Sequence, residues 1–138
     1  MRGKIAVRDT YTAKEKDFSA LISKLKDAKV DVVYIGGYHN DVALIARQSA
    51  EQGYKADFVS GDALNTAEFW SISGPAGEGV RYSDGASAVN LDSAKDVVAA
   101  FRADNYEPEG YTLNSYAAIQ AWAAGAAKAG TTDGAKVA

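Results

Sequence analysis

The residues of this chain that could do chemistry follow four short apolar runs. Asp9 and Tyr11 come after Ile5-Ala6-Val7. Tyr38, His39 and Asn40 come after Val32-Val33-Tyr34-Ile35 and a double glycine, Gly36-Gly37. Asp62 and Asn65 come after Ala56 to Ser60 and Gly61. Ser83 and Asp84 come after Gly79 to Tyr82. If the runs are parallel strands, these positions share the carboxyl edge of one sheet, where open α/β sheets hold their ligands. Aspartates converging on that edge suit a cationic group such as an ammonium. A tyrosine hydroxyl adds a donor and an acceptor, and its ring covers an apolar moiety.

The same residues have plainer readings. Asp9 and Asp84 read first as cap and turn residues. Asp62 is better placed for a site, because it follows a glycine and precedes the next helix cap by several residues. Tyr38 follows two glycines, where the backbone can turn sharply and let a ligand approach. A tyrosine merely packed on a loop fits that spacing equally well. His39 is the sole histidine. Without a ligand set around it, it reads as a hydrogen-bonding loop residue rather than a metal ligand or a base. Phe69 and Trp70 read as anchors of a short helix.

Enzyme signatures are missing. There is no G-x-x-x-x-G-K-[S/T] phosphate loop, no G-x-G-x-x-G after a strand and no G-x-S-x-G elbow. With no cysteine and one histidine, nucleophile–base pairs are nearly excluded. The sequence calls for no metal and no cofactor. Hydrophobic residues make up 47% and charged residues 24% of the 138, ordinary proportions for a globular domain with a real core. A net charge of −3 argues against a nucleic-acid partner. No apolar run approaches the roughly 20 residues of a membrane span. Met1-Arg2-Gly3-Lys4 leads into the first run with no visible signal peptide.

The elements that must position these residues follow from periodicity. Lys4 to Arg8 is a strand candidate. Phe18, Leu21, Ile22, Leu25 and Ala28 form the stripe of an amphipathic helix, with Thr12–Glu15 as a capping box and Asp17 as a rival cap. Val32 to Ile35 is a continuous run, which predicts an interior parallel strand buried on both faces. Asn40 is placed to cap a helix whose inner face is Val42, Ile45 and Ala46 and which Gly53 stops. Ala56 to Ser60 is a strand. Asn65 or Thr66 caps a short helix ended by Gly74-Pro75, and Gly79 to Tyr82 is a weaker strand. Asp92 or Ser93 caps a helix with Val97, Val98 and Phe101 inward. A long alanine-rich helix from about Thr112 to Lys128 carries Tyr116, Ile119, Ala123 and Ala126 on one face. Gly130 to Gly134 breaks it, and Ala135 to Ala138 begins another. The order β-α-β-α-β-α-β-α-α predicts a three-layer α/β/α fold with a mainly parallel sheet, flavodoxin-like, as one domain over residues 1–138.

Four segments in order carry a resemblance. They are Lys16-Asp17-Phe18-Ser19-Ala20-Leu21-Ile22, Val32 to His39 with its Gly36-Gly37-Tyr38, Gly77-Glu78-Gly79-Val80, and Tyr111 to Ala129 through Tyr116-Ala117-Ala118. Together they resemble the second lobe of the periplasmic substrate-binding proteins of branched-chain amino-acid ABC transporters. That family has two α/β lobes joined by a hinge that close on a ligand. The resemblance implies a type I periplasmic-binding-protein lobe, a non-catalytic role in amino-acid uptake, a transporter permease as partner and a periplasmic location for the intact parent. It implies that Tyr38 contacts the amino acid and that Asp62 pairs with its α-ammonium. The family usually has Glu at that position.

The resemblance also implies that this is a truncated lobe of a two-lobed parent, a natural fragment or a designed piece. The family places a further strand between the equivalents of Lys4–Arg8 and Val32–Ile35, and none is found here. A homodimer by strand exchange or edge pairing would repair that gap, and half a clamshell should bind its ligand weakly or not at all. The rival readings are a flavodoxin-like or receiver-like signalling domain, or an engineered domain for folding studies, acting through protein contacts. A receiver also needs a lysine after its last strand, and none follows Tyr82 at the right place.

Overall fold

The computed structural model describes residues 3–138. Two compact units divide it, the first ending at Gly85 and the second running Ala86–Ala138.

In the first unit a parallel sheet carries helices in the connections. The predicted first helix is α1 (Ser19–Asp27), and its stripe does what the spacing requires: Phe18, Ile22 and Leu25 are buried. Each such side chain stabilises the fold by roughly 1.5–3 kcal/mol. Neither proposed cap takes the N-cap position, which Phe18 holds with no side-chain cap bond; Asp17, one residue earlier, accepts the amide of Ser19 through Oδ1 at 2.9 Å. Strand β1 (Val32–Ile35) pairs in parallel with β2 (Asp57–Ser60), and β2 with β3 (Arg81–Tyr82). Between β1 and β2 runs α2 (His39–Glu51), whose Val42, Ile45 and Ala46 enter the core; Gly53, at φ 63°, turns the chain after it. Between β2 and β3 lies α3 (Ala67–Ser73), capped by Thr66, whose hydroxyl accepts the amide of Glu68.

The glutamine Gln48 fastens the loop before α1 to α2. Its Oε1 accepts the amide of Phe18 at 2.7 Å, and its Nε2 donates to the carbonyl of Lys16 at 2.8 Å. The Tyr54 hydroxyl donates to the carbonyl of Val30 at 2.7 Å and so ties the end of α2 to the entrance of β1.

Three further expectations are corrected. Lys4 to Arg8 joins no strand, and Ile5 is 78% exposed. A strand exists through its ladder, and a cavity separates Val7 from the nearest sheet edge, β1. Consequently β1 is an edge strand of the order β1-β2-β3, not an interior one. Its burial alternates: Ile35 is inside, whereas Val32 is 58% and Tyr34 72% exposed. Asn40 does not cap α2. The backbone is extended at Tyr38 (φ −81°, ψ 159°), so the helix begins at His39, and the Asn40 side chain reaches Glu68 instead.

The second unit holds α4 (Lys95–Ala103), α5 (Thr112–Ala129) and α6 (Gly134–Val137). Val98 and Leu113 are buried. Phe101 packs against Tyr106 at a tilt and against Tyr116 edge-on, at ring separations of 5.7 and 6.0 Å. Arg102 holds both carboxylate oxygens of Glu107, at 2.8 and 2.6 Å. The α5 helix ends on Gly130 in the left-handed conformation, and the side chain of Asp133 caps α6. Gly125 lets Val137 approach: a Cβ there would lie 3.0 Å from Val137 Cγ1. The expected inner face of α5 is only partly covered, with Tyr116 on Phe101 but Ile119 exposed. Alanines all round that helix leave its periodicity with little directional content.

No described helix is long and apolar enough to cross a membrane.

Candidate functional site

The register Ile35↔Ser60 and Ser60↔Tyr82 aligns the carboxyl ends of all three strands. Tyr38, Asp62 and Ser83 therefore leave the sheet on one edge, as the sequence reading required. The strand ends are locked together: the buried Ser60 hydroxyl donates to the carbonyl of Ile35 at 2.8 Å, and the amide of Ser83 donates to the carbonyl of Ser60 at 3.2 Å.

Tyr38 stands at the N-cap position of α2, and its ring is 69% exposed. Its carbonyl takes the first helical bond, from Val42, at 3.1 Å. The side chain is thus held from below and presented to solvent. Asp62, also exposed, opens the single 3-10 turn Asp62–Leu64, whose Leu64 is buried as the anchor. Both residues occupy neighbouring strand ends, on rigid local supports.

Among the described residues no group of three or more His, Asp or Glu side chains is placed to hold a metal ion; His39 is instead hydrogen-bonded. Its Nε2 lies 2.9 Å from Oε2 of Glu68, and Asn40 Nδ2 donates to Oε1 of the same carboxylate at 3.3 Å. One glutamate on α3 thereby fixes the start of α2, a hydrogen-bonding role close to the one expected for a lone histidine. Asp9 and Asp84 also behave as local residues. Asp9 accepts from Thr10 and pairs with Lys24 at 2.7 Å, which holds its carboxyl below the ordinary value. Asp84 accepts from Gly85 and from Asn65 Nδ2, the latter at 2.5 Å. Phe69 is buried as an anchor, but Trp70 is half exposed and meets Phe69 edge-on at 5.2 Å.

The residue that the sequence reading passed over is Asp41. It is only 2% exposed, and its Oδ1 accepts the amide of Lys14 at 3.1 Å. It lines a cavity of about 390 Å3 between β1 and residues 7–13, into which Tyr11 and Tyr38 also face. Burial, with the charge of Asp41 adding, raises the Tyr11 phenol above its ordinary value. The Tyr11 ring packs edge-on against Phe18 at 5.4 Å, and its hydroxyl occupies the space a side chain at Gly37 would need. The signal for Asp41 was its place one helical turn before Ile45, on the inner face of α2.

A parallel α/β sheet gathers polar residues on its carboxyl edge, the place where open α/β sheets hold their ligands. The chain belongs to the periplasmic binding protein family, whose sequence model matches residues 1–138. It is 51% identical over 124 residues to the Leu/Ile/Val-binding protein homolog 1 of Brucella suis, covering 90% of this chain and 33% of that protein. It is 40% identical over 130 residues to the Leu/Ile/Val-binding protein BraC3 of Rhizobium johnstonii, covering 94% and 35%. Among solved structures it resembles the leucine-binding protein LivK of Thermotoga maritima, with a TM-score of 0.79, 28% identity, and coverage of 92% of this chain and 37% of that one. It also resembles LivJ of Streptococcus pneumoniae, the substrate-binding protein of a branched-chain amino-acid transporter, solved with isoleucine, with a TM-score of 0.76, 25% identity, and coverage of 92% and 37%. The chain spans about a third of the length of the curated relatives it matches.

Proposed function

We propose that this chain is one lobe of a two-lobed, non-catalytic protein that binds a branched-chain or related amino acid for uptake by a periplasm-facing ABC transporter. The observation that carries the reading is the placement of Tyr38 and Asp62 on adjacent strand ends of β1 and β2. Tyr38 offers its exposed ring to the ligand's apolar side chain, and Asp62 its carboxylate to the α-ammonium. The names of the relatives support the ligand class.

With one wall of a cleft, little of the ligand is desolvated, so binding to this chain alone is weak. The test is an NMR titration with leucine, isoleucine, valine and a polar amino acid. Weak shifts centred on Tyr38 and Asp62 are expected for the branched ligands, lost in Tyr38→Ala and Asp62→Ala. Tight binding by calorimetry would contradict the half-site, and shifts that survive both substitutions would remove these residues from it.

The free edge of β1 supports a second element of this reading, the pairing of two copies along that strand. Val32-Val33-Tyr34-Ile35 has no charge and no proline, and among the described residues no strand pairs with its outer side.

A further inference from the structure

The cavity beside β1 is chemically unlike the Tyr38–Asp62 edge. Its walls are apolar, with Val7, Leu21, Leu25, Val33, Ile35 and Ile45 among them. Two carboxylates join this lining, Asp9, which is exposed and paired with Lys24, and Asp41, which is 2% exposed. Only its Oδ1 is hydrogen-bonded; among the described residues Oδ2 has no hydrogen-bond partner and no cation pairs with it. The Tyr11 hydroxyl, the other buried-side polar group of the cavity, likewise makes no hydrogen bond among the described residues. Neither of these two oxygens is sealed off, Ser49 Oγ being the buried side-chain atom left without a partner among the described residues, so both stay open to the cavity and can accept from a ligand.

We infer that this cavity binds a primary ammonium group carried on a short apolar stem, with Asp41 and Tyr11 holding the ammonium and the aliphatic walls taking the stem. An ammonium has three donors and no acceptor, which matches a vacant carboxylate oxygen and a phenol oxygen. The volume, about 390 Å3, lies at the small end of ligand pockets, which run from roughly 300 to 1,000 Å3. No lysine, arginine or histidine is among the described lining residues, and Asp9, which also lines the cavity, is already paired with Lys24. A ligand carboxylate therefore meets repulsion and no partner. The cavity selects an amine over the amino acid of the same skeleton; Tyr38 lines it too, so Asp41 and Tyr11, which the Tyr38–Asp62 reading does not use, are what separate the two.

The experiment is an NMR titration of the chain, dilute enough for copies to be separate, with isopentylamine, leucine and 4-methylpentanoate. Isopentylamine is expected to shift the amides of Tyr11, Lys14, Val33 and Asp41, while the acid shifts none of them and leucine far less. Asp41→Asn keeps an acceptor for the Lys14 amide and removes the charge; it should weaken the amine by about tenfold or more. Tyr11→Phe, which keeps the ring on Phe18, should weaken it several-fold, and it serves as the folded second variant if Asp41→Asn melts early. Amine shifts of unchanged affinity in both variants, equal affinity for leucine at the same residues, or no shift at millimolar amine would each overturn the inference.

Discussion

The amide of Lys14 donates to Oδ1 of Asp41 across 27 residues of sequence, at 3.1 Å. That bond fixes the loop leading into α1 to the first turn of α2, and it turns an acid at a helix start into a buried one. Asp41→Ala removes the acceptor and leaves the Lys14 amide unpaired. A loss of about 1–3 kcal/mol in urea unfolding is expected. Asp41→Asn should cost markedly less, because it keeps the acceptor while discharging a buried group; equal losses for the two variants would assign the effect to charge rather than to the bond.

Gln48 makes a second bridge of the same kind. Gln48→Ala breaks its bonds to both Phe18 and Lys16. The expected loss is about 1–3 kcal/mol. Gln48→Glu should keep the Phe18 bond and lose the one to the Lys16 carbonyl, giving an intermediate value. Hydrogen exchange at Phe18 is the local readout, and it should rise in the alanine variant only.

Pairing along β1 is tested by sedimentation across a concentration series. A dimer that dissociates on dilution is expected, and Tyr34→Lys, at an exposed position, should shift the series towards monomer. A monomer at every concentration of the unaltered chain would sink the pairing. Because the same edge walls the Asp41 cavity, saturating isopentylamine should oppose association.

The pairing of Arg102 with Glu107 gives a pH signature. The two hydrogen bonds from Arg102, and secondarily its charge, hold the Glu107 carboxyl below its ordinary value of 4.5. A carboxyl lowered in the folded state contributes stability that is complete above its unfolded pKa and fades as pH falls through the folded one. Glu107→Gln should therefore lower the melting temperature slightly near neutrality and not at all at strongly acid pH. The pair is exposed, so the effect should shrink in salt.

Local pattern carried most of the helices. The stripe from Phe18 to Leu25 and the Val42–Ile45–Ala46 face are set by side chains a turn apart, and the structure buries both. The sheet depends on distant partners, and there the reading broke. Nothing within Lys4–Arg8 says whether a ladder partner stands beside it, and nothing within Val32–Ile35 says on which side the sheet ends. The site divides in the same way. The placement of Tyr38 and Asp62 on one edge was legible because strand ends share an edge by topology. Asp41 was not, because its burial depends on a loop 27 residues upstream.

The two glycines after β1 look alike in sequence but answer to different neighbours. A side chain at Gly36 would point into open space, whereas one at Gly37 would collide with the Tyr11 hydroxyl. Gly37 is thus the spacer that sets how closely the first loop can approach the sheet. Enlarging it would act as a wedge, levering the Tyr11 wall of the cavity off its seat. The breadth of the cavity can therefore be tuned from a position that contributes no side chain at all.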